Sequence, residues 1–214
     1  MNDAPMRVML VDDHAVVRMG FKLLLESSID LRVVAECGSG EEALRAYPEV
    51  NPDVLVLDLS MPGIGGLETV TRLLGKFPAA RILVLSAHGD TLHARRALKA
   101  GALGYLSKRS AAEELMRAIR QVQRRRIYIE PALAQQLAIQ EVSGGRSPVE
   151  VLSDKEFKVF IALARGESVA EIAAVMHLSP RTVGTHLYNI KQKLGAGNQA
   201  EIALIAMRSG LLEP

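Results

Sequence analysis

The chain has 214 residues, 49% hydrophobic and 23% charged, which is long for one domain and comfortable for two, each with its own core. A single cysteine, Cys37, excludes an internal disulfide and a cysteine-rich metal site, and 4% aromatics with no Trp argue against a single-strand binder that works by base stacking. The net charge of +2 is spread out: residues 1–126 carry 18 Lys/Arg against 15 Asp/Glu, 127–148 one against two, and 149–214 seven of each, so a nucleic-acid surface would need charge gathered on one face.

Arg7 to Val11 reads as an apolar strand that stops at Asp12-Asp13-His14. From Ala15 to Glu26 the apolar residues Val16, Val17, Met19, Leu23 and Leu24 suit an amphipathic helix. Leu31 to Glu36 is a second strand, and Ser39-Gly-Glu-Glu42 opens a helix as a capping box. Asp53 to Leu57 is a strand buried on both faces, delivering Asp58 into the Gly/Pro-rich loop that follows. A helix runs from about Leu67 to Phe77; Arg81 to Leu85 is a fourth strand ending at Ser86-Ala87-His88; a helix then runs through Arg95 and Arg96 to Ala100. Leu103 to Leu106 is a short fifth strand ending at Ser107-Lys108, and Ala111 to Gln123 is the last helix of this half. The alternation predicts a doubly wound, five-stranded parallel sheet over residues 1–125, of order 2-1-3-4-5.

Residues 126–148, ending in Ser143-Gly-Gly-Arg-Ser-Pro148, read as a linker carrying one helix, Pro131 to Gln140. The triplet Arg124–Arg126 could touch DNA phosphate, but a solvated helix end, where cations favour the dipole, is the stronger reading. Residues 149–214 read as four helices, opened in turn by Ser153-Asp-Lys-Glu156, Ser168, Ser179-Pro180 and Asn198-Gln-Ala-Glu201. The second and third are joined by the short turn Met176-His-Leu-Ser179, as in a helix-turn-helix. The start is polar and short, and no apolar run approaches the roughly 18 residues a membrane helix needs, so a cytoplasmic protein without membrane association is expected.

The strand ends carry the chemistry. Strand one delivers Asp12 and Asp13, strand three Asp58, strand four Ser86 and strand five Lys108, and ligands of such sheets bind at the carboxyl ends of the strands. Two carboxylates about 4 Å apart repel by roughly 4 kcal/mol at an effective dielectric near 20, so three of them call for a cation. Hard oxygen donors favour Mg²⁺, while Lys108 supplies a point charge for phosphate and Ser86 a hydrogen bond. A flavin or nucleotide enzyme on the same sheet would instead carry a phosphate-cradling loop after strand one, where this chain has Asp12-Asp13-His14.

Asp12-Asp13, Asp58 followed by Met61-Pro62-Gly63, Ser86-Ala87 and Gly104-Tyr-Leu-Ser-Lys108 resemble the receiver domain of two-component response regulators over its full length. The resemblance implies a flavodoxin-like fold and transfer of a phosphoryl group from a sensor histidine kinase to Asp58. It implies that Asp13, Asp58 and the Ser60 carbonyl hold Mg²⁺, with Asp12 acting through water. It also implies that Ser86 and Lys108 take the phosphoryl oxygens, and that Tyr105 is the aromatic that turns inward on activation. Such a domain is no enzyme in its own right, assisting only its own phosphorylation and dephosphorylation. Arg109 stands where many receivers have proline, and His88, with Ser60, would flank the hydrolytic water.

Residues 152 to 209 resemble the LuxR-type helix-turn-helix of the NarL/FixJ subfamily through Leu152-Ser-x-x-Glu156, Ala164-x-Gly166, Glu171-Ile-Ala173, Leu178-Ser-x-x-Thr-Val183, His186 and Lys193-Leu194. This resemblance implies a recognition helix in the major groove of double-stranded DNA. Arg181, Thr182, Thr185, His186, Tyr188, Lys191 and Gln192 are its expected contacts. The resemblance implies that Ile202, Ile205 and Ala206 pair two chains as a homodimer upon phosphorylation, although the same apolar face would equally serve as ordinary core. Gly184 stands where Lys or Arg is usual, Gln199 where Arg is common and Ala170 where Asn is common, which predicts reduced phosphate affinity. Leu59 to Glu68 and Ala134-Gln-Gln-Leu-Ala138 look most like GacA/UvrY-type regulators. The function implied is a phosphorylation-controlled transcription regulator; the rivals are a phosphorylation-independent regulator and an adaptor whose output domain binds protein.

Overall fold

The computed structural model describes residues 4–87, 91–110, 112–142, 148–209 and 211–212. The chain divides into two compact units, Met1–Ile139 and Gln140–Pro214.

In the first unit, β1 (Met6–Val11), β2 (Leu31–Cys37), β3 (Val54–Asp58), β4 (Ile82–Ser86) and β5 (Gly104–Ser107) pair in parallel in the expected order. β3 and β4 are buried at every position, as their unbroken apolar runs require. Alternate residues feed two cores. Met9, Val11, Leu55, Leu57, Ile82 and Val84 face α2 (Gly40–Val50), α3 (Gly65–Lys76) and α4 (Thr91–Lys99). Val8, Leu10, Val54, Val56, Leu83 and Leu85 face α1 (Ala15–Glu26) and α5 (Ala112–Gln123). Each fully buried Leu or Ile is worth about 1.5–3 kcal/mol, so the two layers fix the register that aligns the strand ends.

Three local expectations change. The Ser39 cap forms, with its hydroxyl accepting the Glu42 amide at 3.2 Å, but the Glu42 carboxylate takes the Gly38 amide instead of Ser39's own, so the box is half-made. On α1 the apolar residues occupy two faces: Leu25 is buried, whereas Val16, Met19 and Leu23 are exposed. The sheet also has a sixth strand, β6 (Tyr128–Ile129), parallel to β5 at the edge and lying inside the stretch read as linker. Two residues are too few for a period to show. β6 takes its structure from β5, from the Tyr128 amide to the Leu103 carbonyl at 2.9 Å, and from the Tyr128 hydroxyl on Glu114. The helix after it, α6 (Pro131–Val142), buries Leu133 in the same core as Tyr105.

The second unit opens with a 3₁₀ turn, Pro148–Val151, and has the four helices expected: α7 (Asp154–Ala164), α8 (Val169–Val175), α9 (Pro180–Leu194) and α10 (Gln199–Arg208). Full capping boxes start α7 at Ser153 and α8 at Ser168, and Ser179 with Pro180 starts α9. The α8–α9 turn contains His177 at φ 53°, and α7 packs against both α9 and α10. No helix among the described residues is long and apolar enough to cross a membrane.

Candidate functional site

Backbone bonds just beyond the strands set the pocket. The Asp12 amide donates to the Cys37 carbonyl (3.1 Å), the Leu59 amide to Leu85 (3.1 Å) and the Lys108 amide to Ser86 (2.8 Å), carrying the ladder one step past β1, β3 and β5. Asp12 and Asp58 are thereby buried, 4% and 1% exposed, at neighbouring strand ends. Lys108 Nζ lies 2.6 Å from Asp12 Oδ2 and 2.8 Å from Asp58 Oδ2. The other Asp58 oxygen, Oδ1, accepts the Ser60 amide at 3.0 Å. One ligand atom from each of Asp12, Asp13, His14 and Asp58 lies within 4.8 Å of the others.

Burial works against the Lys108 ammonium, but its hydrogen bond to Asp12, its close contact with Asp58 and the charges of both carboxylates outweigh that, and its pKa is raised. Three carboxylates and one ammonium leave a formal charge of about −2, the deficit a divalent cation would fill. The donor set is mostly hard carboxylate oxygen, so the cluster could hold a metal ion. His14 is the member that sequence reasoning did not single out. Its Nδ1 lies 3.0 Å from Asp13 Oδ1, and its side chain is largely exposed.

Ser86 and Tyr105 are both fully buried, at the end of β4 and within β5. Tyr105 is in register with Val84 on one side and Ile129 on the other. No cis peptide occurs among the described residues, so the Lys108–Arg109 bond is trans. Arg18 braces the β1–α1 turn, donating from Nη1 to the Asp12 carbonyl at 2.6 Å. Gly66, the second residue of the next helix, lies so close to Asp58 that a Cβ would stand 2.3 Å from the Asp58 carbonyl oxygen. His88 lies outside the described residues.

On α9, Val183 and Ile190 are buried, while Arg181, Thr182, Thr185, Tyr188 and Gln192 are exposed, Tyr188 by 63%. His186 and Lys191 are half-buried, with the His186 Nδ1 enclosed. Two of the helix's three cations are engaged within the unit. Lys193 is paired with the buried Glu156 carboxylate at 2.6 Å, and Lys191 donates to the Gly197 carbonyl at 3.0 Å. Gln199, in place of the common Arg, donates to the Leu163 carbonyl at 2.8 Å. Gly184 has open space where a Cβ would stand.

The dimer face expected on α10 needs correction. Ile202 and Ala206 are wholly buried where α10 packs on α7, so they are core and closed to a second chain, and Ile205 is half-buried. The apolar side chains that α10 exposes are Leu204 (43%) and Met207 (41%). An apolar stripe in sequence does not say which neighbour covers it.

Together these features define a response regulator with a DNA-binding output domain. Residues 8–120 match the response regulator receiver domain, residues 150–206 match the bacterial regulatory proteins of the luxR family, and the chain belongs to both families. It is similar to the response regulator GacA of Pseudomonas aeruginosa, 37% identical over 97% of this chain and 98% of that one. It is 36% identical to the response regulator UvrY of Escherichia coli over 95% of this chain and 94% of that one. Among solved structures it resembles RcsB from Salmonella enterica serovar Typhimurium bound to promoter rprA in the presence of phosphomimetic BeF3−, with a TM-score of 0.68 and 27% identity over 94% and 98% of the two chains.

Proposed function

We propose that a sensor histidine kinase phosphorylates Asp58 and that this event controls DNA binding and transcription. The observation that carries the reading is the buried Asp58 carboxylate meeting Asp12 and Lys108 at one pole of the sheet, with Asp13 beside it. In the transfer, an oxygen of Asp58 forms a bond to phosphorus as the bond from phosphorus to the kinase imidazole breaks. Lys108 is already within contact distance of Asp58, so the phosphoryl oxygens gain its charge at little rearrangement cost. The Ser60 amide holds the carboxylate's orientation.

Mg²⁺, held by Asp13, Asp58 and the Ser60 carbonyl, with Asp12 acting through water, would supply charge neutralisation for the transferring group. Ser86, at the end of the strand beside Asp58, binds the phosphoryl group, and the change passes to Tyr105 through the β4–β5 pairing. The exposed apolar residues Val16, Met19 and Leu23, on the helix that starts just after Asp12 and Asp13, suit contact with the kinase. The protein acts in the cytoplasm, catalyses only its own phosphorylation and dephosphorylation, and pairs as a homodimer when phosphorylated, with Leu204 and Met207 available for contact.

In the output unit, Arg181, Thr182, Thr185, Tyr188 and Gln192, with His186 and Lys191 beside them, meet the major groove. Incubation with Mg²⁺ and a small phosphodonor should label wild type and not Asp58→Asn, with dimerisation and DNA binding following the label. Unlabelled wild type removes the reading. Labelling without DNA binding favours the adaptor, an outcome to which the engagement of Lys193 by Glu156 would contribute.

A further inference from the structure

We propose that Glu41 is a positioning residue for the loop that carries Asp58 into α3; the assignment rests on the phosphorelay reading of Asp58. α3 starts from Ile64, whose side chain offers no cap; the Gly66 amide turns back to the Leu59 carbonyl at 3.2 Å, and the Ile64 amide needs an acceptor from elsewhere. Glu41, in the first turn of α2, supplies one from 23 residues away: the Ile64 amide donates to Glu41 Oε1 at 3.0 Å. The carboxylate also brings negative charge to the positive end of the α3 dipole. Its neighbour Glu42 has a different task, capping locally on the Gly38 amide at 2.7 Å.

The surrounding backbone is shaped to admit this carboxylate. Gly63 stands at φ 73°, and a Cβ there would lie 2.6 Å from Glu41 Oε1, so the glycine leaves the carboxylate its space. Gly40, the residue before Glu41, approaches so closely that a Cβ would lie 1.9 Å from Thr69 Oγ1, and Thr69 in turn donates to the Gly65 carbonyl at 2.7 Å. The start of α2 is therefore locked against the start of α3, and Glu41 adds a side-chain contact to a loop that the Gly66 amide also closes on the Leu59 carbonyl at 3.2 Å. That loop carries Ser60, whose amide orients Asp58. Glu41 acts through the loop and touches no reacting atom.

The test compares Glu41→Ala, Glu41→Gln and Glu41→Asp in the full chain. In the metal-free protein, amide hydrogen exchange at Ile64 should accelerate about tenfold in Glu41→Ala, the loss expected for one hydrogen bond to a charged acceptor. With a small phosphodonor, the Mg²⁺ concentration for half-maximal labelling should rise roughly fivefold while the saturated rate stays within about twofold, because a looser loop weakens ion binding more than chemistry. Glu41→Gln keeps an acceptor at the same reach without the charge and should fall between wild type and Ala in both readouts. Glu41→Asp keeps the charge, is one methylene too short and should behave like Ala, and it provides the measurement should the Ala variant fail to fold. Wild-type exchange and Mg²⁺ dependence in both Ala and Asp variants would overturn the assignment, as would a Gln variant as impaired as Ala. Unlabelled wild type would instead remove the phosphorelay reading, with Ile64 exchange still deciding whether Glu41 holds the loop.

Discussion

Replacing Gly66 with alanine isolates the packing that holds the acceptor strand against α3. The new Cβ would stand 2.3 Å from the Asp58 carbonyl oxygen and 2.5 Å from Leu59 Cα, both main-chain atoms that no rotamer change can move. Ordinary contact begins at 3.4 Å, so the start of α3 must retreat by roughly 1 Å, loosening Thr69, Val70 and Leu73 behind it. Overpacking of this kind costs about 1–3 kcal/mol, only partly offset by the helix propensity of alanine, under ~1 kcal/mol. The expected result is a fall of roughly 2–10 °C in the receiver's melting temperature, with label uptake at Asp58 reduced because the retreating helix pulls on the loop that leads from Asp58 into it. Gly184→Ala is the matched control: the same chemical change in mid-helix, with nothing within 4 Å of the new Cβ, should stabilise by about 0.5–1 kcal/mol. A Gly66→Ala protein that melts with wild type and labels fully would refute the reasoning.

Gly184→Arg should restore a phosphate contact, steepening the dependence of log affinity on log salt by about 0.9 on a non-specific duplex, while Gly184→Ala leaves that slope unchanged. Lys108→Ala leaves the carboxylates of Asp12, Asp13 and Asp58 without an ammonium and should destabilise the metal-free protein by about 3 kcal/mol. Added Mg²⁺ should then raise the variant's melting temperature more than that of wild type; equal increments would contradict the charge argument. Burial pushes the Glu156 carboxyl up, but Lys193 and the Ser153 bonds outweigh it and hold its pKa below the usual 4.5. That contribution is therefore present above pH 4.5 and lost as pH falls through the lower folded value. Acid titration of α7 and α9 amides should show Glu156→Gln flattening the decline below pH 4.5.

The strand ends were legible because a parallel sheet leaves little choice: buried strands read as unbroken apolar runs, and the first one or two polar residues after each must emerge at the same pole. Asp12, Asp58, Ser86 and Lys108 could thus be placed from the residues alone. Contacts whose partner is distant in sequence were not legible. Nothing around Lys193 in sequence shows that its charge is matched by Glu156, 37 residues earlier. Glu41 looked like one acid of a helix start, with its partner Ile64 hidden 23 residues on. Amphipathic counting also could not assign faces. Val16, Met19 and Leu23 pointed outward on α1, while Ile202 and Ala206 pointed inward on α10, although both sets are apolar stripes.

The sixth strand bears on how the protein can be dissected. A receiver cut after Arg125 would strip β5 of its neighbour and leave an open edge carrying unpaired amides and carbonyls, the kind of edge that recruits another sheet. It would also remove Ile129 and Leu133 from around Tyr105, opening a cleft in the core at the residue proposed to sense phosphorylation. A fragment ending near Ile139 keeps that edge blunted by a two-residue strand and covered by α6, and should stay soluble where the shorter one self-associates.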